Sequence, residues 1–162
     1  MHVYLHKTAA AKFRRKANKV APREEFGILL GEIEGESVLI HDVYFPLDRL
    51  DESTEQDTAV CLDWFQDAEE WAARKGQTWI ALGDIHSHCY NHAMQDIPTH
   101  EPSEQDWNSA RVIHDSVLPT YCVFGICRVV MRKKKRRATI KLWPLPQELS
   151  TTIIEGVEEE EE

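Results

Sequence analysis

The chain has 162 residues, a formal net charge of −9, and 42% hydrophobic against 29% charged residues. That length fits one domain with a single sizeable core, and the composition is that of an ordinary globular protein. The acidic balance weighs against a general nucleic-acid binder, and no apolar run approaches the roughly 18 residues that a membrane span needs.

The opening "MHVYL" suits a short strand. The start "MHVYLHKTAAAKFRRKANK" has no apolar h-region and so is no secretory signal. It is basic and free of acids, which leaves an organelle transit peptide as the alternative. "HKTAAAKFRRKANKV" is rich in Ala, Lys and Arg and predicts a helix of about four turns, ended by Pro22. "EFGILLGEIEGESVLIHDVYFPL" predicts two strands joined at Glu34, Gly35 and Glu36. Residues 47–60 are polar and read as a loop. In "CLDWFQDAEEWAARKG" the apolar residues recur at helical spacing, with Gly76 as the stop. "TWIALGDIHSH" predicts a buried strand, and residues 89–102 a long loop with Pro98 and Pro102. "SEQDWNSARVIHDS" opens on a serine suited to an N-cap and predicts a helix. "TYCVFGICRVVM" and "RATIKLWPL" predict a hairpin around the basic run "RKKKRR" at 132–137. The elements together predict a single α/β domain over residues 1–147, a mixed and mainly antiparallel sheet flanked by helices. Residues 148–162 read as an acidic, disordered tail. Cys61, Cys89, Cys122 and Cys127 are widely spaced and form no CxxC, which points to a reducing compartment and a cytoplasmic protein.

Side chains alternate along a strand, so His86 and His88 face one way and Ser87 the other. Two imidazoles on one face can hold one metal ion, and a catalytic zinc needs a third protein ligand with the fourth position left to water. Asp106 of "SEQD" is placed to return a carboxylate toward the strand end. Taken alone, that segment reads first as a cap, with Ser103 at the N-cap and Asp106 completing a capping-box-like pair. A metal-bound water also needs a base. The candidate is Glu24 in "PREEFGILLG", although alone it reads as the solvated end of a strand.

Taken together, "PREEFGILLG", "HSH" and "PSEQD" resemble the JAMM metalloprotease motif, also called JAB or MPN-plus. That family carries a glutamate three residues before the glycine of a "GLLLG"-like strand, then HxH, then SxxD. Here those positions are Glu24 before Gly27, His86 and His88, then Ser103 and Asp106. The resemblance spans about residues 1–145 and implies an MPN/JAB-like domain. It departs from the pattern in two places. Cys89 stands where the family has proline, and His88 and Asp106 are 18 residues apart, longer than the family spacing. The extra segment "YNHAMQDIPTHE" holds His92, Asp96 and His100, which could replace Asp106 as a ligand, regulate access, or simply lie in a longer surface loop.

The resemblance implies a zinc metallopeptidase or isopeptidase of the deubiquitinase type. His86, His88 and Asp106 would hold zinc, Glu24 would act as general base, and Ser103 would donate to the developing oxyanion. The implied substrate is a ubiquitin-like protein conjugate or precursor, with E1- and E2-like enzymes of the same system as further partners. Short stand-alone members sit with such systems, some in antiphage defence. An inactive scaffold binding a ubiquitin-like partner is the alternative. A zinc deaminase would need HxE and PCxxC, and neither is present. The basic run reads as a solvated turn, Trp64, Phe65, Trp71 and Trp79 as packing residues, and His41 and His114 as satisfied or exposed histidines. Cys89 reads as a small filler or as a thiol near the metal.

Overall fold

In a computed structural model, residues 2–49, 62–90, 100–132, 135–145 and 152–155 are described. Strand β1 (His2–Leu5) leads into helix α1 (Lys7–Val20), whose first turn is capped by His6 Nδ1 accepting from the Thr8 N–H at 3.2 Å. Ala9, Ala10, Phe13 and Ala17 form its buried stripe, at the spacing of one helix face. Strands β2 (Phe26–Glu34) and β3 (Ser37–Tyr44) form the expected hairpin, and Gly35 takes the left-handed φ of +61° that the turn needs. Helix α2 (Asp63–Arg74) ends at Gly76, φ +79°, with the Gly76 N–H donating to Ala73 O and the Gln77 N–H to Ala72 O.

Strand β4 (Ile80–Tyr90) runs two residues past the end expected at His88. Helix α3 (Glu104–Ser116) is followed by β5 (Val123–Arg132), β6 (Lys135–Pro144) and β7 (Thr152–Glu155). The basic run is therefore mostly strand rather than turn, and only residues 133 and 134 lie outside the described residues. One of its members, Arg136, donates to the carbonyls of Asn18 and Lys19 and so places a cation at the negative end of α1. The tail expected to be disordered from 148 contributes β7, which pairs in parallel with β1.

The sheet has the order β6-β5-β4-β2-β3-β1-β7. Antiparallel ladders join β2 to β3 and to β4, and β5 to β6; β4 and β5 run parallel, as do β1 and β3. Helix α1 covers one face, packing Phe13 and Ala17 over Leu29, Val43, Leu82 and Ile85. Helices α2 and α3 cover the other, with Trp64, Phe65 and Ile113 against Phe26, Ile28 and Phe124. Trp64 and Phe65 are core residues, whereas Trp71 and Trp79 are only partly buried at its edge. The β4–β5 pairing is close: a methyl on Gly83 would lie 1.6 Å from the carbonyl oxygen of Val123, so only hydrogen fits there. No helix among the described residues is long and apolar enough to cross a membrane.

Candidate metal centre

The antiparallel register sets Phe26 of β2 opposite His86 of β4. Continuing it by two residues brings Glu24 across from His88, on the same face of the sheet. Ser87, on the opposite face and buried, fixes this junction. Its Oγ accepts from the Glu25 N–H at 2.8 Å, and its own N–H donates to Glu25 O at 3.0 Å. The middle residue of the HxH thus holds the chain that carries Glu24, a role that the alternation pattern hinted at only as a side chain pointing away.

His86 Nε2 lies 3.0 Å from His88 Nε2 and 3.8 Å from Asp106 Oδ1. One ligand atom from each of the three falls within 4.8 Å of the others. Ligands at about 2.0–2.1 Å around a tetrahedral ion stand about 3.3 Å from one another; His86 and His88 are already near that spacing, and Asp106 lies a little outside it. Burial and the adjacent His88 hold the His86 imidazole down at about 4, which leaves it neutral with a lone pair to give. Phe26 stacks against that ring, centroids 5.7 Å apart.

Asp106 arrives through the start of α3, and both readings of "SEQD" hold at once. Ser103 Oγ accepts from the Asp106 N–H at 3.0 Å, and the Ser103 N–H donates to Asp106 Oδ2 at 2.9 Å. The capping box therefore occupies one carboxylate oxygen and turns the other toward His86. Ser103 is exposed, and its hydroxyl, accepting one bond, still has a proton to donate. Burial pushes the Glu24 carboxyl above its ordinary value; His88 opposes the shift and Asp106 adds to it.

Of the alternative ligands, His100 is committed elsewhere. Its Nε2 lies 2.9 Å from Thr139 Oγ1 and 3.0 Å from Thr139 O, and Trp143 Nε1–H donates to its carbonyl at 3.0 Å. His92 and Asp96 lie outside the described residues. Cys89 falls on the Ser87 side of the strand rather than the histidine side, its thiol 3.6 Å from Arg23 O and raised by burial. His114 is satisfied by Tyr121 O at 2.7 Å, and His41 lies 2.7 Å from Glu32. Cys89, Cys122 and Cys127 are free thiols.

Two buried carboxyls went unrecognised in the sequence. Asp84, two residues before His86, accepts a hydrogen bond from Tyr121 Oη at 3.0 Å. Burial pushes it up to about 7. The available signal was an aspartate inside the apolar run "WIALGDI". Glu25 is 3% exposed, its Oε2 has no partner among the described residues, and burial raises it to about 7 against the pull of Lys16. Its folded-state pKa lies above the ordinary value, so its contribution to stability is full below about 4.5 and is lost as the pH rises through about 7. Glu25→Gln should flatten that loss: between pH 5 and 8 the wild type should lose on the order of 2 kcal/mol more than the variant, read from urea midpoints.

Comparison with known proteins agrees with this architecture. Residues 6–143 match the family model described as prokaryotic homologs of the JAB domain. The solution structure of protein DSY2949 from Desulfitobacterium hafniense superposes with a TM-score of 0.57 at 21% identity, covering 98% of this chain and 94% of that one. AF2198, a JAB1/MPN domain protein from Archaeoglobus fulgidus, gives a TM-score of 0.49 at 13% identity over 95% of this chain and 99% of that one. No curated protein matches. With the family model spanning most of the chain and the fold shared, the chain belongs to the prokaryotic JAB-domain family.

Proposed function

We propose that the chain is a zinc-dependent peptidase or isopeptidase acting on a ubiquitin-like protein conjugate or precursor in the cytoplasm. The observation that carries the reading is the convergence of His86, His88 and Asp106 ligand atoms beside the Glu24 carboxyl, in one cleft. Two imidazoles and a carboxyl group suit zinc, with one position open. Zinc, when bound, supplies Lewis acidity and brings a coordinated water toward ionisation at neutral pH.

The chain's own groups do the rest. Glu24, raised above the ordinary carboxylate range, takes a proton from the attacking water and returns it to the leaving amine. Ser103 donates its hydroxyl to the substrate carbonyl oxygen as charge develops there, a contribution of roughly 3 kcal/mol for a well-placed donor. Family membership supports the substrate class, and conjugating enzymes of the same system are the partners it suggests.

Metal analysis by mass spectrometry tests the reading. About one zinc per wild-type chain is expected from a three-ligand site, and zinc should be lost in His86→Ala and in Asp106→Ala. The zinc-loaded protein should then hydrolyse fusions of ubiquitin-like proteins. Wild-type protein that takes up no zinc on reconstitution would instead point to a scaffold.

A further inference from the structure

The sheet sets a cation beside the metal centre. The parallel β4–β5 ladder puts Arg128 in register with His88, and the antiparallel β5–β6 ladder puts Thr139 in register with Arg128. Strand β4 lies between β2 and β5, so Glu24 and Arg128 flank His88 from opposite sides. The row across the sheet therefore reads Glu24, His88, Arg128, Thr139, all on one face. Alternation along β5 agrees: Ile126 belongs to the core under α2 and α3, while Cys127 and Val129 belong to the core under α1.

The fold gives Arg128 no partner. The residue is half-buried, its Nε is fully buried, and among the described residues that Nε has no acceptor. No ion pair to it is present among the described residues either. Its neighbours in the row are engaged elsewhere. His88 Nε2 faces His86 Nε2 at 3.0 Å, and Thr139 Oγ1 and O both face His100 Nε2, at 2.9 and 3.0 Å. The carboxylate of Asp106 is divided between the Ser103 N–H and His86.

A guanidinium keeps its charge at every pH at which the protein is folded, so a buried donor on it is costly until an acceptor arrives from outside. Its planar fork suits a carboxylate, which accepts two parallel N–H bonds. We propose that Arg128 is a specificity residue that receives a substrate carboxylate close to the scissile bond. The carboxylate has two possible sources, an acidic side chain or the free end of a short C-terminal extension. Calling the ligand a substrate rests on the peptidase reading; the carboxylate site itself does not.

NMR of the Arg128 Nε–H reads the site without turnover, and its signal is assigned by its absence from Arg128→Gln. Three N-acetylated tripeptides are titrated into zinc-loaded protein. Gly-Gly-Ala amide has no carboxylate, Gly-Gly-Glu amide carries one on its side chain, and Gly-Gly-Ala with a free end carries one at its C-terminus. One of the charged probes is expected to bind about tenfold more tightly than the neutral probe and to shift the Nε–H. Which of them does so identifies the source of the carboxylate. In Arg128→Gln the preference should fall to about twofold or less. Arg128→Lys keeps the charge and loses the fork, so it should retain an intermediate preference. Zinc content should match the wild type in both variants, since Arg128 is not among the converging ligands. Equal or undetectable affinities in the wild type overturn the proposal, as does a saturating charged probe that leaves the Nε–H unmoved. A preference that survives in Arg128→Gln also overturns it and puts the carboxylate on zinc. Carboxylate binding that depends on Arg128 without cleavage of any fusion upholds the site and removes the peptidase reading. Cleavage of fusions together with equal probe affinities removes the site alone.

Discussion

Glu24→Gln is expected to retain zinc at the wild-type level and to lose hydrolysis by about two to four orders of magnitude. The substitution keeps the shape and the hydrogen-bonding reach of the side chain and removes only its capacity to accept a proton. Nothing that places it changes: the Ser87 hydroxyl still holds the Glu25 N–H, and the β2–β4 ladder still begins at Phe26 and His86. The proposed ligands His86, His88 and Asp106 lie on β4 and α3 and stay in place. Because burial raises the Glu24 carboxyl, the acid limb of the wild-type rate profile should fall above the ordinary value of 4.5, with activity lost as the pH drops through the raised pKa. Zinc content and turnover measured on the same preparation decide the matter. A variant that holds zinc and cleaves at the wild-type rate would remove Glu24 from the reaction and leave the base to be sought elsewhere.

The elements around this site were legible because each had a local cause. Ala and Lys/Arg in α1, the apolar run that opens β2, Gly76 after α2 and Ser103 before α3 are signals carried within a few residues. His86, His88 and Asp106, whose ligand atoms converge, were legible as candidates together with Glu24, since a strand of alternating faces leaves His86 and His88 no choice but to share one. What was missed depends on register between distant segments. Ser87 meets Glu25 across 62 positions, and Tyr121 meets Asp84 across 37. Neither pairing has a local trace beyond a polar residue in an apolar run. Strand β7 was read as tail because its four residues neighbour a charge run, and the unpaired edge of β1 that receives it is visible only once the sheet is assembled. The commitment of His100 to Thr139 likewise follows from where β6 lies, not from the loop sequence.

On the proposed reading Asp106 joins a metal ligand and a helix cap in one carboxylate, and this makes a separable pair of outcomes. Zinc held at about a thousand times its dissociation constant should stabilise the wild type by about 4 kcal/mol, a rise of roughly 10 °C in Tm for a chain of this size. Asp106→Asn still offers an oxygen to the Ser103 N–H, so the metal-free protein should melt near the wild type while the zinc-dependent rise largely disappears. Ser103→Ala removes the acceptor for the Asp106 N–H and should cost about 1 kcal/mol without metal, the ordinary value of an N-cap. It should leave zinc affinity nearly unchanged, because the bond that holds Oδ2 at 2.9 Å and turns Oδ1 toward His86 is donated by the backbone N–H of residue 103, which alanine keeps. Thermal melts with and without zinc separate these terms. If Ser103→Ala also shrinks the zinc-dependent rise, the hydroxyl half of the capping box is needed to aim the carboxylate as well as to hold the helix start. An intact rise leaves that aim to the residue 103 N–H and to the packing of α3 against the sheet through Ala110 and Ile113, both of which are buried against that face.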